Sequence, residues 1–147
     1  MSGAEKPTRG PGEPLAVPAA ALVAEATALV PGISVDEAKA LLESGAVQFV
    51  DIREPGEWSR EGVIPGAQRA PRGMLEFWVD PASPYYRAAL DDGRQLVLYC
   101  GSAWRSALAA ATLTRMGRDD VTHLAGGFSA WRAGGGPIEE YPAGGQG

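Results

Sequence analysis

The chain has almost no cysteine and almost no histidine, and each scarcity closes off a class of protein. Cys100 is its one cysteine and His123 its one histidine. A lone cysteine closes no internal disulfide, so no disulfide framework stands in for a core. One cysteine and one histidine do not make a zinc-type ligand set, and neither a metal site nor a cofactor is expected. Basic charge is also short: thirteen Lys and Arg stand against eighteen Asp and Glu, for a formal net charge of −5. That balance argues against general nucleic-acid binding, which calls for a basic face. Long hydrophobic runs are missing too, and no apolar stretch reaches the length of a membrane span. Leu15 to Val30 comes nearest. Glu25 interrupts it, and Glu5, Lys6, Arg9 and Glu13 ahead of it do not form the positive region of a secretory signal. A cytoplasmic protein with no membrane partner is the expectation. What is present, 147 residues at 45% hydrophobic content, suits one globular domain with a sizeable core.

The organisation follows from punctuation and periodicity. Residues 1–17 read as a disordered tail, since Met1 to Glu13 is rich in Gly, Pro and charge. Residues 18–32 hold an N-terminal helix with Leu22, Ala26 and Leu29 on one face, stopped by Pro31-Gly32. Residues 33–141 form the main domain and 142–147 a loose tail. Ser34 to Glu37 is a capping-box pattern that opens a helix with Val35, Ala38 and Leu42 inward, ended by Gly45. Val47 to Ile52 reads as a strand, Pro55 to Glu61 as a short helix, and Gln68 to Ala70 as a short strand after the Pro65-Gly66 turn. A longer excursion from Arg72 to Pro84 carries Met74, Leu75, Phe77 and Trp78. Ser83-Pro84 predicts a helix through Leu90. A strand from Leu96 to Tyr99, a helix with Ala109, Thr112, Leu113 and Met116 on one face, a strand from Val121 to Leu124 and a helix from Phe128 to Ala133 complete the series. Alternating strands and helices predict an α/β three-layer sandwich with a mainly parallel central sheet flanked by helices.

Cys100 falls where such a sheet places its chemistry, at the carboxyl end of a strand. It lies in the tight connection through Gly101 and Ser102 to a helix start. Free backbone N–H groups and the helix dipole favour an anion there, a setting that activates a thiol. Arg105 adds a positive charge one turn on and is the side chain suited to an anionic substrate. A cation at a helix N-terminus opposes the dipole, so an acidic partner or a ligand is expected beside it. Ser102 either donates a hydrogen bond or shapes the turn. Trp104 either rims the thiol or packs in the core. Asp51, Arg53 and Glu57 form a second constellation with a structural reading: they orient loops, Arg53 and Glu57 are spaced to pair, and Asp51 is placed to buttress the cysteine loop. His123 reads as a strand-end residue with a satisfied ring.

Four stretches together resemble a single-domain rhodanese. VDIREPGEW (Val50 to Trp58) is similar to that family's strand ending in Asp-Val-Arg with a following helix. EGVIPGAQRAP (Glu61 to Pro71) is similar to its Gly-His-Ile-Pro-Gly-Ala signature. CGSAWRSA (Cys100 to Ala107) is similar to the active-site loop, and HLAGGFSAW (His123 to Trp131) to the closing Leu-x-Gly-Gly-x-x-x-Trp segment. Two positions depart: Val63 stands for the signature histidine, and Ala103 for a frequent loop glycine. Ala103 therefore requires either helical dihedrals or an altered loop. The resemblance implies a thiosulfate sulfurtransferase-like enzyme. Cys100 would carry a sulfane sulfur as a persulfide from a small sulfur donor to a thiol acceptor, or to cyanide. Gly101, Ser102, Ala103, Trp104 and Arg105 would bind substrate. The alternatives are a rhodanese-like sulfur-binding or regulatory module without turnover, a Cys-dependent phosphatase, or an arsenate reductase. Only Gly101 to Trp104 separate Cys100 from Arg105, one residue fewer than in the phosphatase pattern. The oligomeric state is left open.

Overall fold

The computed structural model describes residues 8–141. The expected tail at 142–147 and the first seven residues of the 1–17 tail lie outside them. The elements run α1 (Ala19–Leu29), α2 (Val35–Ser44), β1 (Val47–Asp51), α3 (Pro55–Glu61), β2 (Gln68–Arg69), a 3-10 turn (Arg72–Met74), α4 (Leu75–Val79), a second 3-10 turn (Ala88–Leu90), β3 (Gln95–Tyr99), α5 (Trp104–Arg115), β4 (Val121–His123) and α6 (Gly127–Ala133). The four strands form one sheet in the order β2-β1-β3-β4, and every pairing is parallel. The chain steps from β1 to one side and then crosses to β3 on the other. The switch point therefore lies between the carboxyl ends of β1 and β3, where ligands enter such sheets.

Both faces of the sheet are covered, which is why β1 and β3 are apolar almost throughout. Val47 and Phe49 of β1 and Val97 and Tyr99 of β3 pack with Ala38 of α2 and Phe128 and Trp131 of α6. Val50, Ile52, Leu96, Leu98 and Cys100 point the opposite way, onto Leu75 and Val79 of α4 and Ala109, Ala110 and Leu113 of α5. The period-two alternation sends Cys100 to the α5 side, the side on which its own helix begins. α2 starts with the predicted capping box: Ser34 Oγ accepts the Glu37 N–H at 3.1 Å, and Glu37 Oε1 accepts the Ser34 N–H at 3.1 Å.

Three expectations change. α1 does not bury Leu22 and Leu29, which are exposed; it buries Ala26, with Val23, against Ala107, Ala111 and Leu108 of α5. Alanine faces alanine, so the two helices approach closely, and a leucine does not fit between them. α5 is consequently covered on two sides, by the sheet and by α1, and its Met116 end is exposed. The predicted helix from Ser83 through Leu90 is absent. Ser83 Oγ accepts the Tyr85 N–H, and the Arg87 N–H bonds the Trp78 carbonyl at 2.8 Å. These bonds draw the chain off helical geometry until the Ala88–Leu90 turn. The excursion before it holds α4, which buries Leu75 and Val79 and leaves Phe77 exposed. Among the described residues no helix is long and apolar enough to cross a membrane.

Candidate active site

Cys100 follows β3 directly and is buried, with 1% of its surface exposed. A buried cysteine is commonly a small hydrophobe. This one is surrounded by polar contacts instead. Its Sγ accepts the Ala103 N–H at 3.2 Å and the Ser106 N–H at 3.4 Å, and it approaches Ser106 Oγ at 3.6 Å. Ser106 Oγ lies 3.3 Å from the Ala103 carbonyl, to which it donates. The sulfur thus sits in a cradle made by the loop and the first turn of α5. Of Gly101 to Arg105, the residues expected to bind at the sulfur, Ala103 is the one whose N–H bonds Sγ, and the second N–H comes from Ser106. Ser106 was missed; its signal is a serine in the first turn of an otherwise alanine-rich buried helix.

The cradle has its shape because α6 pulls on it from behind. The Phe128 N–H donates to the Cys100 carbonyl at 2.7 Å and the Ser129 N–H to the Gly101 carbonyl at 3.1 Å. With those carbonyls turned toward the α6 N-terminus, the loop's N–H groups are free to turn the other way. Gly127 permits the approach. A Cβ there would lie 2.7 Å from the Cys100 and Gly101 backbone, and its φ is +64°. Ala103 takes the left-handed conformation, φ 83° and ψ −7°, as the N-cap of α5. Neither reading the sequence left open holds: Ala103 keeps the positive φ that a loop glycine would take, at the cost of strain, and is the one non-glycine residue with positive φ among those described. Ser102 is exposed, and so is Trp104, at 52%. Trp104 therefore does not pack in the core.

The acidic partner expected beside Arg105 is Glu57. Arg105 Nη1 and Nη2 each donate to one Glu57 carboxylate oxygen at 2.9 Å. Glu57 is fixed in turn by α3, where it accepts the Glu54 N–H at 3.0 Å. The Arg105 hydrogen bonds hold the Glu57 carboxyl at about 2, well below the usual carboxylate range. The Arg105 guanidinium is raised, first by Glu57 and additionally by Cys100.

The expected Arg53–Glu57 pair is not formed. Arg53 precedes the helix, so the i to i+4 spacing does not bring the two together. Arg53 instead holds Asp51 with Nε and Nη2 at 3.0 and 2.8 Å, Glu61 at 3.1 Å and the Gly62 carbonyl at 2.8 Å. Asp51 and Arg53 are both fully buried. The Arg53 guanidinium lies 4.2 Å from the centre of the Phe128 ring. Since the Phe128 N–H holds the Cys100 carbonyl, Asp51 and Arg53 reach the loop at one remove. Val63, in place of the signature histidine, is buried and pairs through its backbone with Glu139. His123 has one satisfied nitrogen, not two: Nε2 meets the Val30 carbonyl at 3.0 Å, and Nδ1 has no partner. Burial lowers its pKa, and the ring ties the end of α1 to β4.

Comparison with known proteins places this geometry. The thiosulfate sulfurtransferase GlpE of Shewanella oneidensis is 36% identical over 99 residues, covering 67% of this chain and 89% of GlpE. The probable adenylyltransferase/sulfurtransferase MoeZ of Mycobacterium tuberculosis is 37% identical over 91 residues, 61% of this chain, and that match spans 21% of MoeZ. A solved structure from Rhodopseudomonas palustris, of a protein of unknown function described as a possible tyrosine phosphatase, is 45% identical. It superimposes with a TM-score of 0.84 over 88% of this chain and 100% of the other. The family model for the rhodanese-like domain matches residues 34–134. That span opens at the cap of α2 and closes at the end of α6, taking in the whole sheet and the cysteine loop, and the chain belongs to the rhodanese-like family.

Proposed function

We propose that the protein is a sulfurtransferase that carries a sulfane sulfur on Cys100. The carrying observation is the pair of N–H groups, from Ala103 and Ser106, aimed at Sγ. They stabilise negative charge on the sulfur without a separate base. In the first step the Cys100 thiolate attacks the outer sulfur of thiosulfate or of a persulfide. A new S–S bond forms on Sγ, the donor's own S–S bond breaks, and sulfite or a thiolate leaves with the electron pair. In the second step an acceptor thiolate attacks the outer sulfur, takes it, and returns Cys100 as the thiolate. Ping-pong kinetics follow.

A phosphatase is the second reading, favoured by the description of the Rhodopseudomonas palustris protein. Two features weigh against it. The loop from Cys100 to Arg105 is short, and a nearly enclosed thiol admits one sulfur atom more readily than a tetrahedral phosphoryl group. Arg105 also spends both terminal nitrogens on Glu57 rather than offering them to phosphate oxygens. The deciding experiment is intact-protein mass spectrometry after incubation with thiosulfate, and separately with an organic persulfide. A gain of one sulfur atom on Cys100, absent in Cys100→Ser and lost again on adding a thiol, supports turnover. A gain that a thiol does not remove supports a binding module. Cys100-dependent hydrolysis of an aryl phosphate with no sulfur gain overturns the reading in favour of the phosphatase.

A further inference from the structure

The choice of donor follows from charge at the same site, and the inference rests on the sulfur-transfer reading. Arg105 is the cation of the cysteine loop, and Glu57 engages it through both carboxylate oxygens at 2.9 Å. The pair lines the loop wall. A Cβ built on Gly101 would lie 3.3 Å from Arg105 Nη2 and 3.9 Å from Glu57 Oε2. Its net charge is zero. The set behind it does not make up the difference, because Arg53 faces two carboxylates, Asp51 and Glu61. A donor approaching Cys100 along this wall meets peptide N–H dipoles and an Arg105 whose charge Glu57 balances. Thiosulfate carries two negative charges, and each is repelled by Glu57 about as strongly as Arg105 attracts it. A donor with one charge loses less to the same carboxylate.

We propose that Glu57 is a specificity-determining residue: by neutralising Arg105 it selects organic sulfane donors of low charge, persulfides and thiosulfonates, over dianionic thiosulfate. Glu57 acts through the field at Sγ and does not touch the transferred atom.

The test compares two donors that deliver the same kind of sulfur with different charge. Thiosulfate, a dianion, leaves as sulfite; methanethiosulfonate, a monoanion, leaves as methanesulfinate. In each case the donor's S–S bond breaks and the leaving group takes the electron pair. The rate of sulfur gain on Cys100 is measured by intact mass at low salt for the wild type and for Glu57→Gln. Glutamine keeps an acceptor for Arg105 and for the Glu54 N–H while removing the charge. Glu57→Gln is expected to accelerate thiosulfate about tenfold and methanethiosulfonate about threefold, so their ratio shifts about threefold toward thiosulfate. A measurement on the wild type alone guards against a variant that fails to fold. Behind a neutral wall, in a chain of net charge −5, added salt leaves the thiosulfate rate unchanged or raises it. A thiosulfate rate that falls with salt, or a donor ratio that Glu57→Gln leaves in place, overturns the proposal while sulfur transfer stands. No sulfur gain from either donor overturns sulfur transfer, and the donor selection with it.

Discussion

Replacing Ala103 by glycine removes a strain that the fold imposes at its most sensitive turn. Ala103 sits at φ 83° and ψ −7°. The left-handed region brings Cβ against the following carbonyl and costs an L-residue about 1–2 kcal/mol. Glycine escapes that cost, but its unfolded chain has more freedom to lose, which takes back about 0.4–1 kcal/mol. The balance is a stabilisation of about 0.5–1 kcal/mol, or a rise in Tm of about 2–4 °C for a chain of this size. Thermal denaturation followed by circular dichroism, with urea unfolding as a second measure, reads this directly. Ala103→Val is the companion variant. A β-branched side chain is poorly tolerated at positive φ, so its Tm falls. The reasoning fails if Ala103→Gly lowers Tm. Glycine at a helical position costs about 1 kcal/mol relative to alanine, so a loss of that size means Ala103 has helical dihedrals and the loop is not strained.

Other expectations test neighbouring parts of the same structure. Ser106→Ala removes the hydroxyl beside Sγ but keeps the backbone N–H; the rate of sulfur gain on Cys100 falls about ten- to a hundredfold, with a lower Tm from the lost bond to the Ala103 carbonyl, and an unchanged rate assigns the hydroxyl to packing alone. Glu57 titrates at about 2 in the folded chain, below its unfolded value of about 4.3. Its contribution to stability is therefore full above that unfolded value and is lost as pH falls through about 2. The stability gap between wild type and Glu57→Gln narrows over that window, and a gap that widens on acidification contradicts the pairing. Ala26→Leu forces α1 away from Ala107 and Ala111 and destabilises by about 1–3 kcal/mol in urea unfolding, whereas Leu22→Ala, on the exposed side, changes stability little. Equal effects would mean that α1 docks by another face.

What the sequence determined by itself was local or periodic. The short apolar runs of β1 and β3, the capping box at Ser34 and the Gly45 that ends α2 each declare themselves within a few residues, because hydrogen bonding and steric limits there are satisfied by near neighbours. The cysteine between a strand and a helix start was legible for the same reason, as was the need for an acidic partner or a ligand beside Arg105. The structure decided what depends on distant segments meeting. Glu57 and not Arg53 found its partner in Arg105, 48 positions away, because α3 carries its first turn to the mouth of the β3–α5 loop. The N-terminus of α6 turned the loop carbonyls away from the sulfur, an arrangement no local pattern around Cys100 encodes. The buried face of α1 was misjudged because hydrophobicity named Leu22 and Leu29. Close packing against the alanines of α5 favoured the smaller Ala26 and Val23 instead. Ala103 shows the two levels in conflict: its own preference is helical, and the bonds that close the loop around Cys100 hold it at positive φ.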